Sequence, residues 1–163
     1  MILGEKQVID GVLTLELRDA RGAIVERRRV HNLITRAGRK LLADLLMARA
    51  GISVPMKYRI AVGTGSSPAK AGDTQLEARV DASETLPPEV KVQAETDTVV
   101  ATIQATLPKL NEDKVQPLTE SGIEIDCAMG GGGMATTLFN RVTFAEVNRG
   151  PGMTLTLSWE ITF

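Results

Sequence analysis

At 163 residues, 43% apolar and 24% charged, the chain has the composition of a single soluble globular domain, which argues against disorder, a collagen-like repeat or a disulfide framework. Nineteen Lys and Arg against 20 Asp and Glu leave a net charge of −1, which gives no general attraction to phosphate backbones and makes nucleic acid a poor partner. With only three Phe, one Trp and one Tyr, the core has to be built from Val, Ile, Leu and Ala.

The N-terminal segment Met1 to Lys6 shows no basic region followed by an apolar run and a small-residue cleavage site, so no export signal is expected, and residues 1–10 are a candidate N-terminal arm. Val12 to Arg18 alternates, with Leu13, Leu15 and Leu17 on one face and Thr14, Glu16 and Arg18 on the other, the period of a half-buried strand. Asp19-Ala20-Arg21-Gly22 supplies a turn, and Ala23 to Ile34 returns as a second strand of a hairpin. In that strand Glu26-Arg27-Arg28-Arg29 puts charge on both faces, which suits either a solvated edge strand or a contact with another subunit.

From Thr35 to Ala50 the period changes. Ala37, Leu41, Leu42, Leu45 and Leu46, flanked by Ala48, form one helical stripe, with Arg36, Arg39, Lys40, Asp44 and Arg49 largely on the other side. Thr35 is placed to cap this helix and Gly51 to stop it, while Gly38 is a poor interior residue at a cost of about 1 kcal/mol against Ala. One apolar face on one helix implies docking on a sheet.

Tyr58 to Val62 reads as a short strand, followed by a loop from Gly63 through Asp73, and Asp73 to Glu77 adds one helical turn. Strand character returns from Arg79 and is interrupted by Pro87-Pro88; Thr98 to Leu107 is a strand ended by Pro108, and Lys109 to Pro117 reads as a loop. Gly122 to Cys127 alternates, and Gly130 to Gly133 follows as a run without side chains, either a linker or a tip that orders against a partner. Thr136 to Val147 and Met153 to Phe163 are two strands joined by the turn Asn148 to Gly152. The last of these sets Leu155, Leu157, Trp159, Ile161 and Phe163 on one apolar face. About seven to nine strands with one amphipathic helix over residues 35–50 predict a mainly β chain, an antiparallel β-sandwich formed as one domain over 1–163.

Chemistry-bearing residues are sparse. Gly63-Thr64-Gly65-Ser66-Ser67 lacks the Lys-Ser/Thr pair and following helix of a phosphate loop, and reads as a tight turn leaving a strand. His31 is the single histidine and Cys127 the single cysteine, so a nucleophile–base pair would have to join them; the simpler expectation is a strand-end histidine and a small buried thiol. A lone cysteine also forms no internal disulfide, which fits a reducing compartment. Asp73 with Glu77, or Glu120 with Glu124 and Asp126, lacks EF-hand spacing and is expected to be solvated. No catalytic, cofactor or metal residues are assigned. The expected contact residues are Arg27, Arg28, Arg29, Arg36, Arg39, Lys40, Gly131 and Gly132.

Six segments in order carry a resemblance: Asn32 to Arg39 running into Leu41 to Leu46, Ile60 to Gly65, Asp73 to Glu77, Glu120 to Ile123, Leu138 to Phe144 and Leu155 to Ile161. Together they resemble a family of small phage structural proteins associated with tails and tail fibres. The resemblance implies a non-enzymatic subunit of a virion or tail-like particle, assembled in a host cytoplasm. Its partners would be itself, as a ring or trimer, and other tail proteins, in a tail, fibre-adaptor, collar or baseplate-proximal position. A different class, a small sandwich that binds a host-surface glycan, would need aromatic platforms from among Tyr58, Phe139, Phe144, Trp159 and Phe163.

Overall fold

The computed structural model describes residues 8–47, 54–110 and 113–163. Within them lie eleven strands and one helix: β1 (Asp10–Arg18), β2 (Ile24–His31), β3 (Leu33–Ile34), α1 (Arg36–Leu46), β4 (Val54–Gly63), β5 (Arg79–Glu84), β6 (Glu89–Gln93), β7 (Thr98–Leu107), β8 (Gln116–Ala128), β9 (Met134–Leu138), β10 (Asn140–Arg149) and β11 (Thr154–Thr162). They form two antiparallel sheets. The first has the order β2-β1-β11-β7-β6; the second has the order β3-β10-β8-β4-β5, with β9 also on β8.

Alternation explains the layers. Leu13, Leu15 and Leu17 of β1 stand opposite Trp159, Leu157 and Leu155 of β11, all six essentially without solvent exposure, so the two most regular strands share one buried face. Ile103, Ala105 and Leu107 of β7 extend that face, and Ile60, Val62, Leu118, Ile123, Ile125 and Cys127 of the second sheet close it from the other side. Each fully buried Leu or Ile here contributes about 1.5–3 kcal/mol. The result is the mainly β, sandwich-like architecture expected, with eleven strands where seven to nine are expected from the pattern.

The extra strands come from breaks that periodicity does not reveal. Ala23 to Ile34 is two strands, because the chain changes sheets at Asn32: β2 pairs with β1, and β3 pairs with β10. Thr136 to Val147 likewise divides at Phe139, with β9 and β10 lying one after the other along the same edge of β8. β6 is an unanticipated short strand beyond Pro87-Pro88, and β8 begins inside the expected loop, at Gln116. Asp73 to Glu77 is irregular, with bends at Gln75 and Glu77, and forms no helix. Gly130 to Gly133 is the tip of the β8–β9 hairpin, closed by Met129 N–H to Gly133 O at 3.1 Å and Gly132 N–H to Met129 O at 3.0 Å. The assignment of residues 48–50 to the helix and most of the candidate arm lie outside the described residues.

α1 docks through its first turn. Thr35 is its N-cap: the hydroxyl accepts from Gly38 N–H at 3.0 Å and donates to Leu138 O at 2.5 Å, so one side chain ties the helix start to the β9–β10 junction. A Cβ on Gly38 would lie 2.3 Å from Phe139 O, so the glycine is required for helix and strand backbones to touch. Only Gly38 and Leu41 of the helix are buried; Leu45 and Leu46 remain 38% and 84% exposed, so the predicted stripe is covered only in its first half.

Candidate functional site

The densest polar construction lies on the face of the second sheet away from the main core. Ile60 and Val62 of β4 point into that core, so Ala61 between them points outward, where it packs with Leu138 and Leu76. Leu76, 3% exposed, arrives on the segment 64–78, which leaves β4 and folds back over the sheet. What fixes this segment is Glu120 of β8, an ionisable side chain with no solvent exposure.

Glu120 is satisfied almost entirely by the segment it holds. Its Oε1 accepts from Gly65 N–H at 3.0 Å and Ala78 N–H at 2.7 Å, its Oε2 from Glu77 N–H at 3.0 Å, and Arg141 Nε donates to Oε2 at 2.8 Å. A Cβ on Gly63 would fall 2.4 Å from the carboxylate, and one on Gly65 2.6 Å. These glycines have ordinary negative-φ backbone; they are there to admit the carboxylate. The Gly63–Gly65 loop therefore does converge amides on an anion, and that anion is the protein's own Glu120. Burial alone would push this carboxyl up; the hydrogen bonds from Ala78, Arg141, Glu77 and Gly65 outweigh it and leave it below the usual carboxylate range.

Arg141 of β10, also buried, completes the clamp. It reaches Asp73 Oδ2 at 3.0 Å, Ser67 O at 3.0 Å and, at 3.4 Å, both Pro68 O and Glu77 Oε2. One guanidinium fork thus spans both ends of the segment while its Nε anchors on Glu120. Burial opposes the charge on Arg141, but Glu120 and Asp73 hold its pKa above the ordinary value. Asp73 is held low, since bonds from Lys70 N–H and Arg141 exceed the effect of its burial.

Three further arginines work similarly. Arg59 forks onto Asp126, which is thereby held below the usual range, and Arg79 grips Glu124 at 2.9–3.2 Å. Arg149, 1% exposed, bonds Asp81 at 2.9 Å and Gln116 at 3.1 Å. The expectation that these carboxylates are solvated is thus corrected for Asp73, Glu120, Glu124 and Asp126, each an arginine partner largely or wholly shielded from solvent; Glu77 stays exposed as expected and meets Arg141 only at 3.4 Å. Spacing gave no hint, because the partners lie far away in sequence, and Arg149, expected in the turn Asn148 to Gly152, is the last residue of β10.

The reactive side chains do not meet. His31 ends β2 in the first sheet, 73% exposed, with Nδ1 3.3 Å from Asp10 Oδ2. Cys127 sits in the core of the second sheet without exposure, its thiol pushed up by burial and by Asp126. No group of three or more His, Cys, Asp and Glu among the described residues is placed to hold a metal ion, and no helix among them is long and apolar enough to cross a membrane. Trp159 and Phe139 are core residues, whereas Phe163 leaves the apolar row of β11 and is 43% exposed.

The expected contact residues fall in three places. Arg27 and Arg29 lie exposed on the outer face of β2, and Arg28 turns to the core side, where it pairs with Glu26. Arg36, Arg39 and Lys40 occupy the exposed side of α1, with Lys40 paired to Asp44. Gly131 and Gly132 form the exposed hairpin tip. Arg36 and Lys40 flank a cleft shared with Ala71 to Thr74, at the foot of the clamped segment. Against models of known protein families, curated proteins and solved structures, the chain matches none.

Proposed function

We propose that the chain is a non-enzymatic structural subunit of a phage virion or phage-tail-like particle, acting by protein–protein assembly in a tail, fibre-adaptor, collar or baseplate-proximal position. The observation that carries this is where the resembling segments meet. Five of the six, scattered from Asn32 to Phe144, converge on one unit: Thr35 and Gly38 seat the helix on Phe139, Gly63 and Gly65 admit Glu120, Asp73 and Glu77 bind Arg141, and Asn140 Oδ1 accepts from Ile123 N–H at 2.8 Å. Motifs kept together by one interlocked structure support a real likeness over a chance string of short matches. The separation of His31 from Cys127 and the commitment of each buried carboxylate to an arginine support the non-catalytic part. A glycan platform would display aromatic faces, and the single Trp faces the core.

The test is incorporation. The tagged chain is expressed in the cell that encodes it, particles are purified on a density gradient, and protein copy numbers are measured by mass spectrometry. A fixed copy number per particle is expected. A chain confined to the soluble fraction, with particles assembling without it, overturns the proposal.

A further inference from the structure

The two borders of the first sheet are unlike. On β2 the core-side face carries Glu26 and Arg28, opposite Leu17 and Leu15, and charge on such a face deters a further strand. On β6 the core-side face carries Val90 and Val92, opposite Ala101 and Val99, and they are 68% and 77% exposed. This border is apolar where the other is charged.

Among the described residues, its backbone is also unpaired on the outer side. Val99 and Phe163 exchange both N–H···O bonds, at 3.3 and 2.9 Å, so alternate residues of β7, Val99 and Ala101, turn their backbone groups toward β11. Val90 and Val92 stand opposite those two residues, so their own N–H and C=O groups point away from β7, to the open border. The two residues with the most exposed apolar side chains of β6 are the two offering backbone donors and acceptors.

We propose that β6 pairs antiparallel with β6 of a second copy of this chain, about a two-fold axis at Val90, joining two five-stranded sheets into one. The inference deepens the assembly reading above and rests on it. Charge selects the register. An axis at Lys91 would set Lys91 against Lys91 of the second copy, and an axis at Val92 would set Glu89 against Glu95. With the axis at Val90, Glu89 lies opposite Lys91 of the second copy twice over, and the Val90 amides bond reciprocally. Glu89 and Lys91 already pair within one chain, at 3.2 Å, on the outer face where this exchange takes place.

The test is the mass of the purified full chain by light scattering over a micromolar-to-millimolar range, with circular dichroism confirming the fold of each variant. Wild type is expected to reach twice the 17.5 kDa chain mass. V90P removes a donor that faces the open border, with no strand partner among the described residues, and is expected to abolish the dimer. E89K and K91E each weaken association about tenfold or more, and the double exchange E89K/K91E restores it to within about threefold. A wild type that is monomeric throughout overturns the pairing, as does a double exchange that fails to restore what the single changes lose. Oligomers indifferent to all these variants also overturn it, while leaving the assembly reading standing; that reading falls only on exclusion from particles.

Discussion

Glu120 and Arg141 lie on neighbouring strands, Oε2 to Nε at 2.8 Å, with side chains 0% and 3% exposed, and between them they fasten both ends of the segment 64–78 to the second sheet. Removing either partner takes its buried ion pair from the other, and E120A also leaves the Gly65, Glu77 and Ala78 amides without their acceptor, a cost of about 3–5 kcal/mol. E120A and R141A are each expected to lower the unfolding free energy measured in urea by that amount, and the double variant by clearly less than the sum, because both lose the same clamp. Additive effects of under about 1 kcal/mol each would show that the segment is held by its other contacts, the burial of Leu76 and the bonds to Arg36 and Thr119.

The clamp also sets a pH dependence. Glu120, Asp73 and Asp126 all have pKa values below their ordinary ones in the folded protein. The unfolded chain therefore binds more protons than the folded one between the two sets of values, so these groups stabilise fully above the unfolded carboxylate range, about 4, and that contribution disappears as pH falls through the depressed folded values. Denaturation midpoints should be flat from neutral pH to about 5 and then decline, with E120Q less steep than wild type. Identical acid profiles in wild type and E120Q would contradict the assignment.

The architecture was legible wherever one face of an element is buried and the other wet. β1 and β11 alternate without interruption because each has a single core face, and the first turns of α1 show their stripe for the same reason. Legibility failed where the chain changes partner without changing period: Asn32 and Phe139 sit inside unbroken β patterns, and only pairing across long sequence distances shows that strands change there. It failed again at Glu120, whose neighbours look like any polar strand; a carboxylate is read as solvated unless the arginine and amides that bury it are seen. Gly63 to Gly65 read in sequence as a tight turn, because the phosphate-loop pattern is missing; the anion that the Gly65 amide meets is a side chain on a distant strand, which no local motif announces.

Gly38 offers a sign test of local against tertiary effects. In an exposed helix, Gly to Ala stabilises by about 1 kcal/mol. Here the new Cβ would lie 2.3 Å from Phe139 O and 2.9 Å from Phe139 Cα, backbone atoms that cannot turn aside. G38A is expected to destabilise by about 1–3 kcal/mol by forcing the helix off the strand, measured as a lower thermal or urea midpoint. A stabilised G38A would mean that α1 does not sit in this close contact.

Cys127 tests the closure of the core from within. It packs with Ile125 and Ile123 on β8, without solvent exposure, and its thiol is pushed up first by burial and then by the neighbouring Asp126 carboxylate. Because the thiolate is the reactive form, a thiol reagent at mildly alkaline pH is expected to leave the folded protein unmodified for as long as it stays folded, and to label it stoichiometrically in denaturant. Labelling measured against urea should therefore follow the main unfolding transition, since Cys127 faces the same core as Trp159 and is released only when the two sheets part. Rapid labelling in buffer, ahead of any change in Trp159 fluorescence, would show that the second sheet opens independently of the first.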